Sequence, residues 1–343
     1  MIRDGRGTDL EGVRRLAYAL LRREPESRDA HLRLYEIEQM LGRPDAAVAH
    51  LRRALATSRI VTLPATAGPA AVTVLALYRV APWEANLPFE LVVDERRTTV
   101  HRLYLDDEDS ERVLDAIVLP PHDVVLNAIA ESDRAQPVLR LAERFAQRSA
   151  VPVINRPAAV AVLGRDRVAQ RFARSADVLA PAVERLSYAQ LAARRVTAPI
   201  VVRPVGSQAG VDLDKVDDGT ALRAYLAAHA HDRYFVMPFV DYRSPDGFYR
   251  KYRVMFVNGT PFAYHLAISP RWMIHYYNAA MQEHAWMRDE EARFLEDLGS
   301  VFTGRLAAAL GEMAAAVPLT YFGIDCAIAG DGRLLLFEAD AGM

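Results

Sequence analysis

The sequence predicts a mixed α/β protein with a helical segment at its amino end, on the strength of three patterns. Apolar residues recur at helical spacing between residues 9 and 58. Short apolar strands then alternate with amphipathic helices up to about residue 160, which indicates a small parallel sheet. Beyond that point a glycine-rich loop follows a strand, and two apolar runs flank Gly330-Asp331-Gly332. We predict a helical segment at 1–58, a linker at 59–72, an α/β domain at 73–160, and a second domain at 161–343 that divides near residue 240.

The composition is typical of a globular chain and excludes several classes of protein. A formal charge of −2 over 343 residues gives no reason to expect a nucleic-acid partner. The single cysteine, Cys326, excludes a disulfide framework, is expected to be a small core residue, and fits a reducing cytoplasm. The uncharged run from Ile60 to Tyr78 has the length of a membrane span, but Pro64, Gly68 and Pro69 interrupt it. We therefore interpret it as a linker that leads into a strand, and we expect no membrane partner.

The helical segment resembles tetratricopeptide repeats. Two predicted helices between Asp29 and Ser58 are separated by Gly42-Arg43-Pro44, and an earlier helix, Leu10 to Arg23, ends at Glu24-Pro25. The residues that carry the resemblance are Leu32, Leu34, Gly42, Ala46, Ala47, Leu51 and Ala54. Repeat arrays usually need about three units for stability. We expect this segment to pack on the next domain or on a second copy in a homodimer, with docking of a peptide or protein partner as an alternative.

The next segment should build the parallel sheet. We predict strands at residues 70–80, 115–120, 123–130 and 151–157, a helix at 136–149, and a further helix around Asp166 to Arg174.

A phosphate-binding loop is one interpretation of the segment that follows the predicted strand Ile200 to Val205. The loop Gly206-Ser207-Gln208-Ala209-Gly210 would expose backbone N–H groups to a phosphate. Arg203 alternates away from its apolar neighbours and could pair with phosphate oxygens. An ordinary turn is the alternative.

A third stretch places polar residues beside a strand that could line a flat aromatic base. The strand Tyr234 to Val240 includes Met237 and Val240, and Asp241 follows where a ribose hydroxyl could be held. Lys251 and Arg253 share one face of the next strand, although solvated strand charges are the alternative. The sequence then places His265, His275 and Asn278 around a predicted loop.

The carboxyl-terminal hairpin carries three acids. A two-residue type I′ turn at Asp331-Gly332 would set Asp325 directly opposite Glu338, and Asp340 would point to the same face. Like charges in that arrangement need a counter-charge. Either solvent or an arginine supplies it, or the three carboxylates bind a hard cation such as Mg²⁺.

These elements, in this order, resemble the ATP-grasp superfamily of ATP-dependent carboxylate–amine ligases over roughly residues 150 to 343. The resemblance implies an ATP-grasp fold preceded by a pre-ATP-grasp domain. It implies Mg²⁺ on Asp325, Glu338 and Asp340, and ATP contacts from Arg203 and the loop 206–210. It further implies an adenine- and ribose-binding stretch at residues 237–241, with Arg167 and Lys251 in positions where the family binds nucleotide.

Catalytic roles follow from the same resemblance. Arg253 lies where an arginine meets the transferred phosphate, and Asn278 lies where many members have a phosphate- or metal-facing asparagine. His275 or His265 would be the general base, if one exists. The implied substrates are a small-molecule or peptide carboxylate and an amine, joined through an acyl phosphate. A nucleotide-binding scaffold without catalysis and a phosphotransferase are the alternatives.

The chain departs from the family pattern in three ways. Arginine replaces lysine at Arg167 and Arg203, which keeps the charge but changes its reach. Asp340 replaces the usual asparagine, and its added negative charge would be offset by a second Mg²⁺. The sequence also stops at Met343, where family members continue with a helix.

Overall fold

The computed structural model of the chain describes residues 9–88, 92–207, 210–274 and 278–343. Contacts between Cα atoms divide it into two units, of which the first comprises residues 1–130, 137–157 and 342. The second comprises residues 131–136, 158–341 and 343. In the described part of the chain, no helix combines the length and the apolar character that a membrane span requires.

The first unit contains three helices followed by a five-stranded sheet. The helices are α1 (Leu10–Arg23), α2 (Arg28–Met40) and α3 (Pro44–Ala54). The sheet is built from β1 (Ile60–Leu63), β2 (Val72–Arg79), β3 (Thr98–Leu105), β4 (Val124–Asn127) and β5 (Val153–Ile154) in the order β1-β3-β2-β4-β5. The helices α4 (Glu111–Asp115) and α5 (Gln136–Gln147) lie between strands in the sequence.

Local chemistry explains where the three helices begin and end. The Asp9 side chain accepts a hydrogen bond from the backbone N–H of Gly12 at 2.7 Å and so caps α1. Gly42 has φ +70°, a conformation that favours glycine, and Pro44 then starts α3, where its missing N–H costs nothing. The helices lie where the periodicity predicts them, although their geometry does not single out tetratricopeptide repeats.

The sheet confirms the predicted parallel arrangement and corrects it at three places. β2 pairs in parallel with β3 and β4, and β4 with β5. The predicted linker contains β1, which runs antiparallel to β3 at the sheet edge. β3 itself was missed, because His101 and Arg102 interrupt its apolar pattern. The strand predicted at 115–120 is wrong: α4 ends at Asp115 and Val118 is 91% exposed, since Pro120 and Pro121 lack the N–H groups of a ladder.

The second unit contains two mainly antiparallel sheets with helices, and one edge pair of strands is parallel. Its first elements are α6 (Pro157–Val160), α7 (Arg165–Phe172), β6 (Val178–Leu179), β7 (Glu184–Ser187), α8 (Tyr188–Ala192), β8 (Ile200–Pro204), β9 (Asp214–Val216), α9 (Gly219–Ala228) and β10 (Arg233–Pro238). They are followed by β11 (Tyr249–Val257), β12 (Thr260–Ser269), α10 (Ala285–Glu296), α11 (Arg305–Ala316), β13 (Tyr321–Ile328) and β14 (Leu334–Asp340). The sheet orders are β7-β10-β8-β9 and β12-β11-β13-β14-β6.

Each sheet of the second unit has its own apolar core. Leu191 of α8 and Tyr225 of α9 pack with Val202 of β8 against the four-stranded sheet. In the five-stranded sheet Phe256 of β11 stacks on Phe322 of β13, with ring centroids 4.4 Å apart. The mixed α/β fold class is therefore confirmed, and the parallel sheet lies in the first unit, as predicted.

The carboxyl-terminal hairpin has the predicted register at Asp325 and Glu338, but its turn differs from the predicted one. The predicted two-residue turn is wrong, because Ala329 donates to the Arg333 carbonyl at 2.9 Å and leaves Gly330, Asp331 and Gly332 in the loop. Gly332 has φ +79°, which suits the last position of such a loop. The register then shifts between Asp325 and Cys326, so that Asp325 still faces Glu338. A β-bulge thus offsets the longer turn.

Candidate active site

A polar cleft of about 340 Å³ lies within the second unit, where several loops meet the end of β14. Its lining residues are Glu131, Ser132, Asp133, Leu163, Arg165, Gly206, Ser207, Glu338, Ala339 and Asp340. The cleft therefore brings together the glycine-rich loop and two of the three hairpin acids, as the resemblance implies. Four carboxylates and one arginine converge there, so the cleft suits a ligand that carries both phosphate oxygens and a cation.

Asp325, the third hairpin acid, is held by two cations. Its Oδ2 accepts from Lys251 Nζ at 2.9 Å, and its carboxylate receives two hydrogen bonds from Arg253, at 2.7 and 2.9 Å. Burial by itself raises the pKa of Asp325, but the ion pairs with Arg253 and Lys251 outweigh it and hold the pKa well below its usual range. Lys251 and Arg253 thus share a face of β11, as predicted, and Arg253 lies directly opposite Asp325 on β13.

Glu338 is paired with Arg165, the residue that begins α7. Burial raises the pKa of Glu338, yet the positive charge of Arg165 outweighs this and the net shift is downward. Sequence reasoning had chosen Arg167, but that side chain is exposed and donates to the Ala161 carbonyl at 2.8 Å. Residues two apart on a helix point about 200° away from each other, so only one of these arginines can face the cleft.

Arg203 lies at the end of β8, behind the glycine-rich loop. Its guanidinium donates to the Ser207 carbonyl and hydroxyl, and the Ser207 hydroxyl donates to the Pro204 carbonyl at 3.0 Å. Burial, reinforced by the charge of Arg165, lowers the pKa of Arg203 to about 10, which leaves it charged at neutral pH. Gly206 and Gly210 both adopt positive φ. Gln208 lies outside the described residues.

The residues proposed for the base and the ribose do not line this cleft. Met237 lies near the end of β10, and Val240 packs on a core cluster that includes Tyr242 and Ala327. Asp241 is exposed and accepts a hydrogen bond from the backbone of Arg243. Asn278 is also exposed. The roles that the resemblance implies for these four residues therefore stay predictions.

Of the two candidate general bases, His265 lies among the described residues. His265 lies opposite Arg253 on β12. Burial, together with the charge of Arg253, lowers the pKa of His265 to about 4, so the ring is neutral at pH 7. A neutral imidazole is a proton acceptor in principle. His275 lies outside the described residues.

Sequence reasoning missed the loop from Glu131 to Asp133. The buried Glu131 carboxylate accepts hydrogen bonds from the backbone N–H groups of Asp133 and Arg134, both at 2.6 Å. Asp133 accepts a hydrogen bond from Arg185, whose guanidinium also donates to Asp166. The one available signal was the run of polar residues at 131–134, directly after the strand predicted at 123–130. Residues in that position often face a ligand in α/β proteins.

The three hairpin carboxylates offer suitable oxygen ligands for a hard cation, but they are not spaced to bind one together. Among the residues that the structure describes, no three His, Cys, Asp or Glu side chains are arranged to hold a metal ion. Glu338 and Asp340 both face the cleft and offer the oxygen ligands that Mg²⁺ prefers. Asp325 is engaged by Lys251 and Arg253 instead. Glu338 is likewise engaged, by Arg165, so the assignment of the three acids to a metal ion stays a prediction.

Comparison with known proteins gave matches among solved structures only. No family model matches the chain, and no curated protein matches it. The structure is similar to D-alanine–D-alanine ligase from Bacillus anthracis complexed with ATP, with a TM-score of 0.46, 13% identity, and coverage of 79% of this chain and 86% of that one.

Two further similar structures have comparable values. VanG D-Ala:D-Ser ligase from Enterococcus faecalis has a TM-score of 0.45 and 14% identity, with 79% of this chain and 90% of that one covered. A RimK domain ATP-grasp protein from Sphaerobacter thermophilus has a TM-score of 0.40 and 13% identity, with 78% and 90% covered.

Proposed function

We propose that the chain is an ATP-dependent carboxylate–amine ligase of the ATP-grasp type. The observation that carries this proposal is the cleft in which the loop at Gly206 and Ser207 faces Glu338 and Asp340, with Arg165 and Arg203 beside them. Candidate phosphate-binding groups and candidate metal ligands meet there. That combination favours phosphoryl transfer, which depends on positioning and charge neutralisation rather than on covalent catalysis by the protein.

The site's own charges neutralise one another. Arg165 pairs with Glu338, while Lys251 and Arg253 pair with Asp325. ATP with Mg²⁺ carries both signs of charge and could replace these pairs, with phosphate oxygens taking the cations and the metal taking the carboxylates. Glu338 and Asp340 would hold Mg²⁺, and Asp325 would join them once its cations turn to the phosphates. Bound there, Mg²⁺ would offset the negative charge of the phosphates.

The reaction needs the substrate carboxylate to lose its negative charge before an amine can attack it. A carboxylate oxygen attacks the γ-phosphorus, the bond to ADP breaks, and an acyl phosphate results. The amine then attacks the acyl carbon, phosphate leaves, and the amine gives up a proton. Arg203 and the loop 206–210 would bind the phosphates, and Arg253 would stabilise charge on the transferred group. His265, neutral at pH 7, would take the proton.

Trapping with hydroxylamine tests the reaction class. The protein is incubated with ATP, Mg²⁺, hydroxylamine and a pool of amino acids and peptides, and hydroxamate and ADP are measured. A ligase gives both products, because hydroxylamine intercepts the acyl phosphate. ADP without hydroxamate would indicate a phosphotransferase. ATP binding in calorimetry without ADP release for any member of the pool would favour a scaffold.

Two variants connect this outcome to the cleft. Glu338→Gln keeps the size of the side chain but removes its charge, and turnover should fall by about 100-fold or more, as on losing one electrostatic stabiliser. Asp340→Asn should retain most of the activity, since asparagine is the usual residue there in the family that the chain resembles. Wild-type turnover in Glu338→Gln would contradict the assignment of Glu338.

A further inference from the structure

The first helix carries an exposed apolar stripe that the proposed ligase activity does not use. Val13, Leu16 and Leu20 of α1 are 41%, 71% and 39% exposed. Asp9 precedes Val13 by four residues and Arg23 follows Leu20 by three, so the five positions alternate steps of four and three residues. That spacing places all five side chains along one line of the helix, as in the seam of a coiled coil. We call these five residues the α1 stripe.

The stripe is not the side by which α1 packs on its neighbours. Arg14 donates to the buried Glu38 of α2, and the Tyr18 hydroxyl lies 3.0 Å from His50 Nε2 of α3. On a helical wheel Arg14 and Tyr18 lie more than about 100° from Leu16. The α1 stripe therefore faces away from α2 and α3, and within the described residues of α1 none is fully buried.

The outer face of α1 is apolar over most of its length. The stripe has charged residues only at its two ends, with three large aliphatic side chains between them. Such a face is typical of a surface that a further helix covers.

The charges at the ends of the stripe select the partner. Asp9 lies at the amino end of the α1 stripe and Arg23 at the carboxyl end, and both are exposed. In a parallel pair of α1 helices, like charges would face each other at both ends. In an antiparallel pair, Asp9 of each copy faces Arg23 of the other, Leu16 faces Leu16, and Val13 lies near Leu20. The helix dipoles also oppose each other in that pair, which is the favourable arrangement.

We propose that the α1 stripe is the interface of a homodimer, in which α1 packs antiparallel on α1 of a second copy of this chain. The contact is isologous, with a two-fold axis that passes near Leu16. It is self-complementary in both shape and charge, because the same five residues supply the apolar centre and the charged ends. The interface is independent of the cleft, so it stands whether or not the chain is a ligase.

Sedimentation of the full chain tests the proposal. The wild-type protein should dimerise at micromolar concentrations. Leu16→Glu should raise the dimer dissociation constant at least tenfold, because two carboxylates would meet at the axis in place of two leucines. The control is Arg33→Glu, which adds a carboxylate on α2, where the side chain is 74% exposed and lies off the stripe. This control should dimerise as the wild type does.

Disulfide cross-linking measures the register and does not rely on disrupting the dimer. Leu16→Cys places two thiols beside the axis, and mild oxidation should link two copies, while Arg33→Cys on α2 should not link them. The native Cys326 is fully buried and will not interfere. A wild-type monomer at all concentrations, a dimer that persists unchanged in Leu16→Glu, or equal cross-linking at both positions would each overturn the proposal. Circular dichroism of each variant checks that α1 is folded.

Discussion

At the scale of single residues, ion pairs among the cleft side chains decide which groups are available to a ligand. Asp325 forms ion pairs with Lys251 and Arg253, and Glu338 forms one with Arg165. Sequence spacing alone left two possibilities for these acids, a counter-charge from arginine or a hard cation. The structure shows the first of them for Asp325 and Glu338. We expect ATP and Mg²⁺ to exchange these partners rather than to fill a preformed metal site.

The structure places Arg165 at the cleft, whereas the resemblance indicated Arg167. Arg165→Gln should lower kcat/KM for ATP by roughly 100-fold, because a charge that faces the phosphate site is lost. Arg167→Gln should leave kcat/KM close to the wild-type value, since Arg167 is exposed and bound to a backbone carbonyl. Steady-state kinetics of the two variants decides the matter. The opposite ranking would restore the assignment of Arg167.

Asp325 should also control stability. Asp325→Asn leaves Lys251 and Arg253 without their buried counter-charge, so we expect the free energy of unfolding to fall by about 3–5 kcal/mol at pH 7. The pKa of Asp325 is lower in the folded state than in the unfolded state. Its contribution is therefore present above the unfolded pKa, about 3.9, and is lost as the pH falls below it.

Urea denaturation at several pH values measures this dependence. The difference in unfolding free energy between wild type and Asp325→Asn should be largest at neutral pH and should shrink in acid. The ion pair between Lys215 of β9 and the exposed Asp217 lies outside the cleft and offers a comparison. Asp217→Asn should change stability by less than about 1 kcal/mol. A difference for Asp325→Asn that is constant with pH would contradict the role given to its ionised form.

At the scale of elements, the carboxyl-terminal hairpin aligns the acids. Its three-residue loop and the bulge in β14 together set Asp325 opposite Glu338. Either irregularity alone would move the register by one residue and turn Glu338 to the other face of the sheet. The register was predicted correctly, although from a turn that the structure does not contain.

Glycine substitutions in this loop test its conformation. Gly332→Ala should cost roughly 1–2 kcal/mol of stability, because alanine resists the positive φ at this position. Gly330→Ala should be nearly neutral, since the φ of Gly330 is not positive and an added Cβ would meet nothing within 4 Å. Thermal unfolding of both variants measures the difference. Equal effects would indicate that the loop adopts another turn.

At the scale of the whole molecule, the chain consists of two units that contain different features. The helices α1 to α3 and the parallel sheet belong to one unit, and the cleft belongs to the other. A ligand that binds the folded cleft stabilises the unit that contains it, by about 2.7 kcal/mol at a concentration 100 times its dissociation constant.

Hydrogen exchange with and without ATP and Mg²⁺ should show this division. We expect slower exchange in residues 200–207 and 334–340, which carry the cleft, and unchanged exchange in α1, α2 and α3. ATP without Mg²⁺ is the control and should protect β14 less, because Glu338 and Asp340 would then repel the phosphates. Protection that is confined to the helices would contradict the location of the nucleotide site.

The sequence predicted the elements that local chemistry specifies strongly. Helical periodicity located α1, α2 and α3, and the long apolar runs located β2, β4, β8 and β11. It missed β3, where His101 and Arg102 disturb the alternation, and it placed a strand before Pro120 that does not form. Both errors have one cause: the apolar content of a short segment does not reveal whether a neighbouring strand will accept its hydrogen bonds.

The sequence by itself determined the mixed α/β class, the shared face of Lys251 and Arg253, and the alignment of three acids in one hairpin, because strand and turn periodicities are local properties. Only the tertiary structure decided which cations those acids meet, that Arg165 rather than Arg167 faces the cleft, and that Glu131 and Asp133 line it. These residues lie far apart in the sequence. Their meeting depends on long-range packing of loops and sheets, which no local pattern encodes.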